Sequence, residues 1–198
     1  MTQARQPRRW RKPLAIGAVL VVSAGMVIGG WFQPAITPQT PSPTPTSDLA
    51  HLRARSLGIP VLGFSASQLT DNYTQQRAGG AEHEALDIMA PRGTPVVAVD
   101  DGRIAKLFLS KPGGITLYQF DPSGEYAYYY AHLDSYADGI AEGGKLRKGD
   151  VIGYVGSSGN ASPDAPHLHF AIFKLGIEKQ WWRGTPVNPF LVWRDAKP

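Results

Sequence analysis

From Asp48 onward the apolar runs are short, and each is cut off by a turn signal. That pattern excludes long amphipathic helices and specifies strands. Residues 94–99 are β-branched and end at Asp100-Asp101-Gly102, after which 103–109 forms the next run. Residues 115–120 and 126–132 flank Asp121-Pro122-Ser123-Gly124, which reads as a hairpin turn. Residues 151–155 and 167–174 are two further strands, separated by the polar loop 156–166. Short helices are expected at 48–56 and 189–193. The pentapeptide Arg-Gly-Thr-Pro-Val occurs twice, at 92–96 and 183–187, with unlike flanks; it reads as two similar turn-to-strand starts. The fold class is therefore mainly β and largely antiparallel.

Before this region lies a different kind of sequence. Residues 14–32 carry no charge across nineteen positions. As a helix that segment would reach about 28 Å, close to the hydrocarbon thickness of a bilayer. Trp10 and Trp31 flank it, and Arg5, Arg8, Arg9, Arg11 and Lys12 precede it. No basic residue follows until Arg53. The positive-inside rule then leaves 1–13 as a cytoplasmic tail, 14–32 as a transmembrane anchor and the remainder outside, in the periplasm or cell-wall space. A cleaved signal peptide is the competing reading, with Val22-Ser23-Ala24 as a cleavage site, but the apolar run outlasts the usual signal core. Residues 33–47 alternate Pro with Thr and Ser and read as a semi-rigid linker. The exported domain is 48–198.

The charge balance excludes one large class of partner. Of 20 basic residues, five stand in the first twelve positions, leaving 15 against 16 acidic residues. The body is near neutral and is not built for nucleic acid. Cysteine is absent, which excludes disulfides, a thiol nucleophile and thiolate metal sites. A transition metal would have to be held by His, Asp or Glu.

Four of the five histidines fall in three suggestive settings. His83 and Asp87 stand four apart. His132 ends the Tyr-rich strand, in phase with Tyr126, Tyr128 and Tyr130 under period-2 alternation. His167 and His169 share one strand face, with Leu168 on the other. Each alone has an ordinary structural reading. Together they match a catalytic zinc site, three nitrogen or carboxylate ligands with an open position, and leave further histidines as proton carriers. His83-Glu84 begins like a His-Glu-x-x-His helix, but position 87 is Asp and the following residues read as strand and turn. Neither a phosphate loop nor a nucleophile elbow is present.

Over roughly residues 59–193 the chain resembles the LytM/lysostaphin-like zinc metallopeptidases that cut peptidoglycan peptides. The resemblance is carried by Arg77 through Asp87, Ala90-Pro91-x-Gly93-Thr94-Pro95-Val96, Tyr130-Ala131-His132-Leu133, Gly149-Asp150-Val151-Ile152-Gly153, Gly156-x-x-Gly159-Asn160, Pro166-His167-Leu168-His169-Phe170 and Val187-Asn188-Pro189, in the family's order. It implies one Zn2+ held by His83, Asp87 and His169, with His132 and His167 beside it as catalytic residues. It implies a compact β domain with a groove for extended peptides, walled by loops 110–114, 134–148 and 156–166. It leaves Glu82 and Glu84 on the surface, since the family has no Glu general base. Ala85 and Ala171 depart from the family, where Gly and an acid are common. The implied function is a membrane-anchored zinc endopeptidase acting on peptidoglycan peptides. The rival is a non-hydrolysing module that binds peptidoglycan or activates another wall hydrolase; such relatives usually lack some of the five site residues, all of which are present here.

Overall fold

The computed structural model describes residues 46–77 and 79–194. The basic tail, the apolar span at 14–32 and the linker as far as residue 45 lie outside them. Among the described residues no helix is long and apolar enough to cross a membrane.

The strands are β1 (Leu86–Met89), β2 (Pro95–Val97), β3 (Gly102–Ser110), β4 (Gly114–Phe120), β5 (Tyr126–Tyr136), β6 (Lys145–Leu146), β7 (Val151–Val155), β8 (His167–Leu175) and β9 (Gly184–Val187). They form one sheet in which every pairing is antiparallel. The main path runs β1-β8-β5-β4-β3-β6, with β9 beside the second half of β8, and β7 joining β5 and carrying β2. The mainly antiparallel expectation is met. Both Arg-Gly-Thr-Pro-Val segments lead into short strands, β2 and β9.

Side-chain alternation on β5 divides the sheet into two faces. Tyr126, Tyr128 and Tyr130 point into the main core with Leu86, Leu168 and Phe170, all fully buried. Their hydroxyls are satisfied there: Tyr126 donates to Asp48 at 2.7 Å, Tyr128 to Asp100 at 2.9 Å and Tyr130 to Gln119 at 2.7 Å. Burying a phenol without such a partner would cost on the order of 1–3 kcal/mol. Ala127, Tyr129 and Ala131 occupy the opposite face.

Two strands differ most in length from expectation, for visible reasons. β2 stops at Val97, because its register with β7 breaks there and the Val99 N–H turns inward to the Tyr130 hydroxyl at 3.0 Å. β5 runs on to Tyr136, because Leu133, Ser135 and Tyr136 find partners on β7.

Two short helices close the core. α1 (Thr46–Ala54) begins two residues inside the segment read as linker. It buries Asp48 and Leu52. α2 (Pro189–Trp193) starts with Pro at its first turn and Asn188 as its cap, whose side chain accepts the Phe190 N–H at 2.9 Å. Arg53 reaches the Leu191 carbonyl at 2.7 Å, and the Trp193 indole donates to the Leu57 carbonyl at 3.0 Å.

Candidate metal centre

β1 and β8 lie side by side with Asp87 directly opposite His169 and Met89 opposite His167. Alternation therefore brings Asp87, His167 and His169 to one face and sends Leu168 into the core. His83 arrives from the loop just before β1. Among the described residues His83, Asp87 and His169 form the group able to hold a metal ion, with one ligand atom from each within 4.8 Å of the others.

The chemistry of the donor set fits a cation. His83 Nδ1 lies 3.0 Å from the Asn72 carbonyl oxygen, which can only accept, so that nitrogen carries the proton. His83 Nε2 then presents a lone pair. It faces Asp87 Oδ1 at 3.0 Å and His169 Nδ1 at 3.0 Å, and His169 Nδ1 lies 2.9 Å from Asp87 Oδ1. Three electron-pair donors thus converge on one another. Tetrahedral zinc with bonds of ~2.0–2.1 Å spaces its ligand atoms by ~3.3 Å, close to this triangle.

The acidic member is held ionised. Burial acts to raise the Asp87 pKa, but the neighbouring His169, His83 and Arg77 outweigh it and hold the carboxyl well below the usual carboxylate range. Arg77 reaches Asp87 Oδ2 at 2.5 Å and leaves Oδ1 to the histidines. Burial pushes the His169 imidazole down, against the pull of Asp87.

His132 and His167 flank this group. The His132 ring centroid lies 4.9 Å from that of His167 and 5.6 Å from that of His169. In both rings Nδ1–H donates to a carbonyl, that of Ser158 at 2.8 Å for His132 and that of Ala165 at 2.9 Å for His167. Both therefore offer Nε2 as an acceptor; that of His167 is 3.8 Å from Asp87 Oδ1. Burial lowers the His132 pKa to about 4, so the ring is neutral at pH 7.

The phase expected for His132 is wrong. Period-2 alternation would put it in the core with Tyr130. Instead β5 bulges: Tyr130 pairs with Leu117 and Leu133 with Ile115, so two residues oppose one. His132 takes φ +58°, and its side chain joins those of Tyr129 and His169 in lining the cleft.

Two residues invisible in the motifs hold the site together. The Asn72 side chain accepts the Asp87 N–H at 3.1 Å and donates to the Asp87 carbonyl at 3.3 Å, standing in for a neighbouring strand along β1. Its own carbonyl fixes His83. Ser158 Oγ donates to the Leu133 carbonyl at 2.6 Å and accepts the Ile115 N–H at 2.9 Å, while the Ser158 carbonyl holds His132.

The residues border a cleft of about 530 Å³. Pro112 and Gly113 from one loop and Asn160, Ala161 and Ser162 from another form its walls, as expected for 110–114 and 156–166. Loop 134–148 contributes none of the lining. Its Glu142 pairs instead with Lys106 and the Leu107 N–H on β3. Arg77 and Tyr129 line the cleft, though neither had been assigned a role from sequence. Glu82 and Glu84 are half-buried and not on the surface. Among the described residues Glu82 Oε2 is buried without a hydrogen-bond partner. Burial, with the charges of Glu84 and Glu82, pushes the Tyr73 hydroxyl up to about 12. Ala85 and Ala171 are both buried, and Ala171 pairs with Tyr129 on the cleft face.

Residues 81–189 match the model of peptidase family M23. The chain is 36% identical over 104 residues to an L-Ala–D-Glu endopeptidase of Bacillus subtilis, an alignment covering 50% of this chain and 32% of that protein. It is 37% identical over 111 residues to a DD-carboxypeptidase/endopeptidase of Neisseria meningitidis, covering 56% of this chain and 22% of that one. The chain thus spans about a third or less of the length of these curated relatives. The crystal structure of the lysostaphin catalytic domain from Staphylococcus simulans superposes with a TM-score of 0.53 at 28% identity, covering 64% of this chain and 94% of that domain.

Proposed function

The chain belongs to peptidase family M23, and on that premise we propose that it is a zinc endopeptidase that hydrolyses peptide bonds in peptidoglycan. The observation that carries this reading is the convergence of His83 Nε2, Asp87 Oδ1 and His169 Nδ1 to within 3.0 Å of one another, beside two histidines whose Nε2 atoms are free to accept a proton.

His83, Asp87 and His169 would hold the ion. Zinc there supplies Lewis-acid polarisation of the scissile carbonyl and acidifies water. The remaining work belongs to the protein. Arg77 and the Asn72 amide hold Asp87 in place, and the Asn72 carbonyl selects the His83 tautomer. His132 and His167 each have Nδ1–H pinned to a carbonyl, and one of the two takes up the proton of the attacking water at Nε2. A ring that has gained that proton becomes a donor to the oxyanion and then to the leaving amine. The cleft between loops 110–114 and 156–166 receives an extended peptide.

The named relatives act on different bonds, one at L-Ala–D-Glu and one as a DD-peptidase. Peptidoglycan peptides as a class are therefore the substrate proposed, with no bond singled out. On sequence grounds alone, residues 14–32 anchor the chain in the cytoplasmic membrane and place the peptidase on the wall side. All five site residues are present and line one cleft, which supports an enzyme over a binding module.

Purified peptidoglycan of defined cross-link chemistry, incubated with the full-length chain, tests the proposal. New amino and carboxyl termini, identified by fragment mass and absent with His169→Ala, are the expected result. Intact peptides from every wall type would contradict it.

A further inference from the structure

Aromatic rings lead out of the cleft along the sheet. Tyr129 lies 6.0 Å from His169, Tyr118 lies 4.5 Å from Tyr129, Trp181 lies 4.9 Å from Tyr118, and Trp182 lies 5.2 Å from Trp181, centroid to centroid. Phe108 meets Trp181 at 5.4 Å. Trp181 is half-buried over Phe120, Ala127 and Leu175, a small second core on the cleft side of the sheet. That packing fixes the loop between β8 and β9. It leaves two rings that contact Trp181 open to solvent, Trp182 at 61% and Phe108 at 41% exposure.

We propose that Trp182 and Phe108, mounted on Trp181, form a platform for the amino-sugar strand from which the scissile peptide hangs. The inference deepens the peptidoglycan reading and rests on it for the identity of the polymer. A pyranose ring shows a face of C–H bonds, weakly positive at hydrogen, and an indole face is negative. The two stack, and rings already held by packing lose little freedom in doing so. The same loop supplies polar partners for hydroxyl and acetamido groups, since Lys179, Gln180 and Arg183 line an adjoining hollow of about 500 Å³. Spacing agrees as well. Three ring-to-ring steps of 4.5–6.0 Å separate His169 from Trp181, the mount of the platform. An extended peptide of about five residues reaches ~17 Å. A stem peptide in the cleft would therefore bring its sugar to the platform. Ile177 in the same loop and Leu109 next to Phe108 are exposed as well, but the contiguity of the rings with the cleft favours the polymer that the cleft serves over a lipid surface.

The test is calorimetric titration of the full-length chain with a hexamer of β-1,4-linked N-acetylglucosamine, which carries no peptide. Saturable binding by the wild type, kept by Trp182→Phe and weakened about tenfold or more by Trp182→Ala, is expected. The ratio of cleavage on intact wall to cleavage of a glycan-free stem peptide should fall in the same variant. Trp182 is exposed, so the substitution leaves the core intact. Absence of oligosaccharide binding by the wild type, or equal binding by Trp182→Ala, would overturn the proposal. So would Trp182-dependent binding to phosphatidylglycerol vesicles in its place. Sugar binding needs no hydrolysis, so loss of cleavage with binding retained strikes only the peptidase reading, and cleavage without binding strikes only the platform.

Discussion

His132 shows what a single backbone conformation decides. At φ +58° a residue with a β-carbon is strained, and the surrounding hydrogen bonds must hold it there. They come from the His132 N–H to the Gly113 carbonyl at 2.8 Å and from the ring to Ser158. Ser158→Ala removes the hydroxyl that ties this carbonyl's loop to β4 and β5. It should lower kcat by about 10–100-fold and stability by ~1–2 kcal/mol with zinc content unchanged, as measured by steady-state cleavage, denaturant unfolding and metal analysis. Asn72→Ala should act in the opposite sense. It loosens Asp87 and His83, and zinc affinity should drop about 10–100-fold in a competition titration with a chelator. At this scale spacing marked His83, Asp87, His167 and His169 as candidates, and the choice of His83, Asp87 and His169 as ligands came from the family resemblance; the structure brings those three together. Asn72 was not legible, since fifteen residues separate it from Asp87 and nothing local marks the pairing. The face of His132 was misread, because a bulge breaks the alternation on which that reading depended.

Among the elements, the two loops that wall the cleft are locked to each other. Gly114 and Gly159 both have positive φ, +66° and +78°, and a β-carbon on Gly159 would stand 2.3 Å from the Gly114 nitrogen. The Asn160 N–H also donates to the Pro112 carbonyl at 3.0 Å. Gly159→Ala should therefore destabilise the domain by ~2–4 kcal/mol and displace His132, read as a lower unfolding midpoint together with lost cleavage. Most strands could be read from their β-branched and aromatic runs between turn residues; β7 agrees residue for residue. β6 could not, since two residues, Lys145 and Leu146, carry no period. The assignment of loop 134–148 to the cleft wall failed because Glu142 ties that loop to β3, a long-range pairing with no local signature. The loop between β8 and β9 was overlooked for the converse reason. Trp181 and Trp182 look like an exposed turn until the sheet places Tyr118 beneath Trp181.

For the molecule as a whole, α1 is the first described element of the domain, and its fastening is pH-dependent. Burial acts to raise the Asp48 pKa, and hydrogen bonds from Lys174 and Tyr126 reverse that and hold it below its ordinary value. A carboxyl with a folded pKa below the unfolded one contributes stability that is full above the unfolded value, about 3.9, and is lost as pH falls through the folded value. The stability advantage of the wild type over Asp48→Asn should thus be present at pH 6 and shrink below about pH 4, followed by chemical denaturation. If residues 14–32 anchor the chain, it should stay with membranes through alkaline extraction, and removal of those residues should leave the peptidase inside the cell. The central claim is a division of labour among five side chains, and zinc per chain measures it most directly. One ion should be bound by the wild type, by His132→Ala and by His167→Ala, the latter two without cleavage, and lost or severely weakened in His83→Ala, Asp87→Ala and His169→Ala. Full zinc in a ligand variant, or its loss in His132→Ala and His167→Ala alone, would contradict the account.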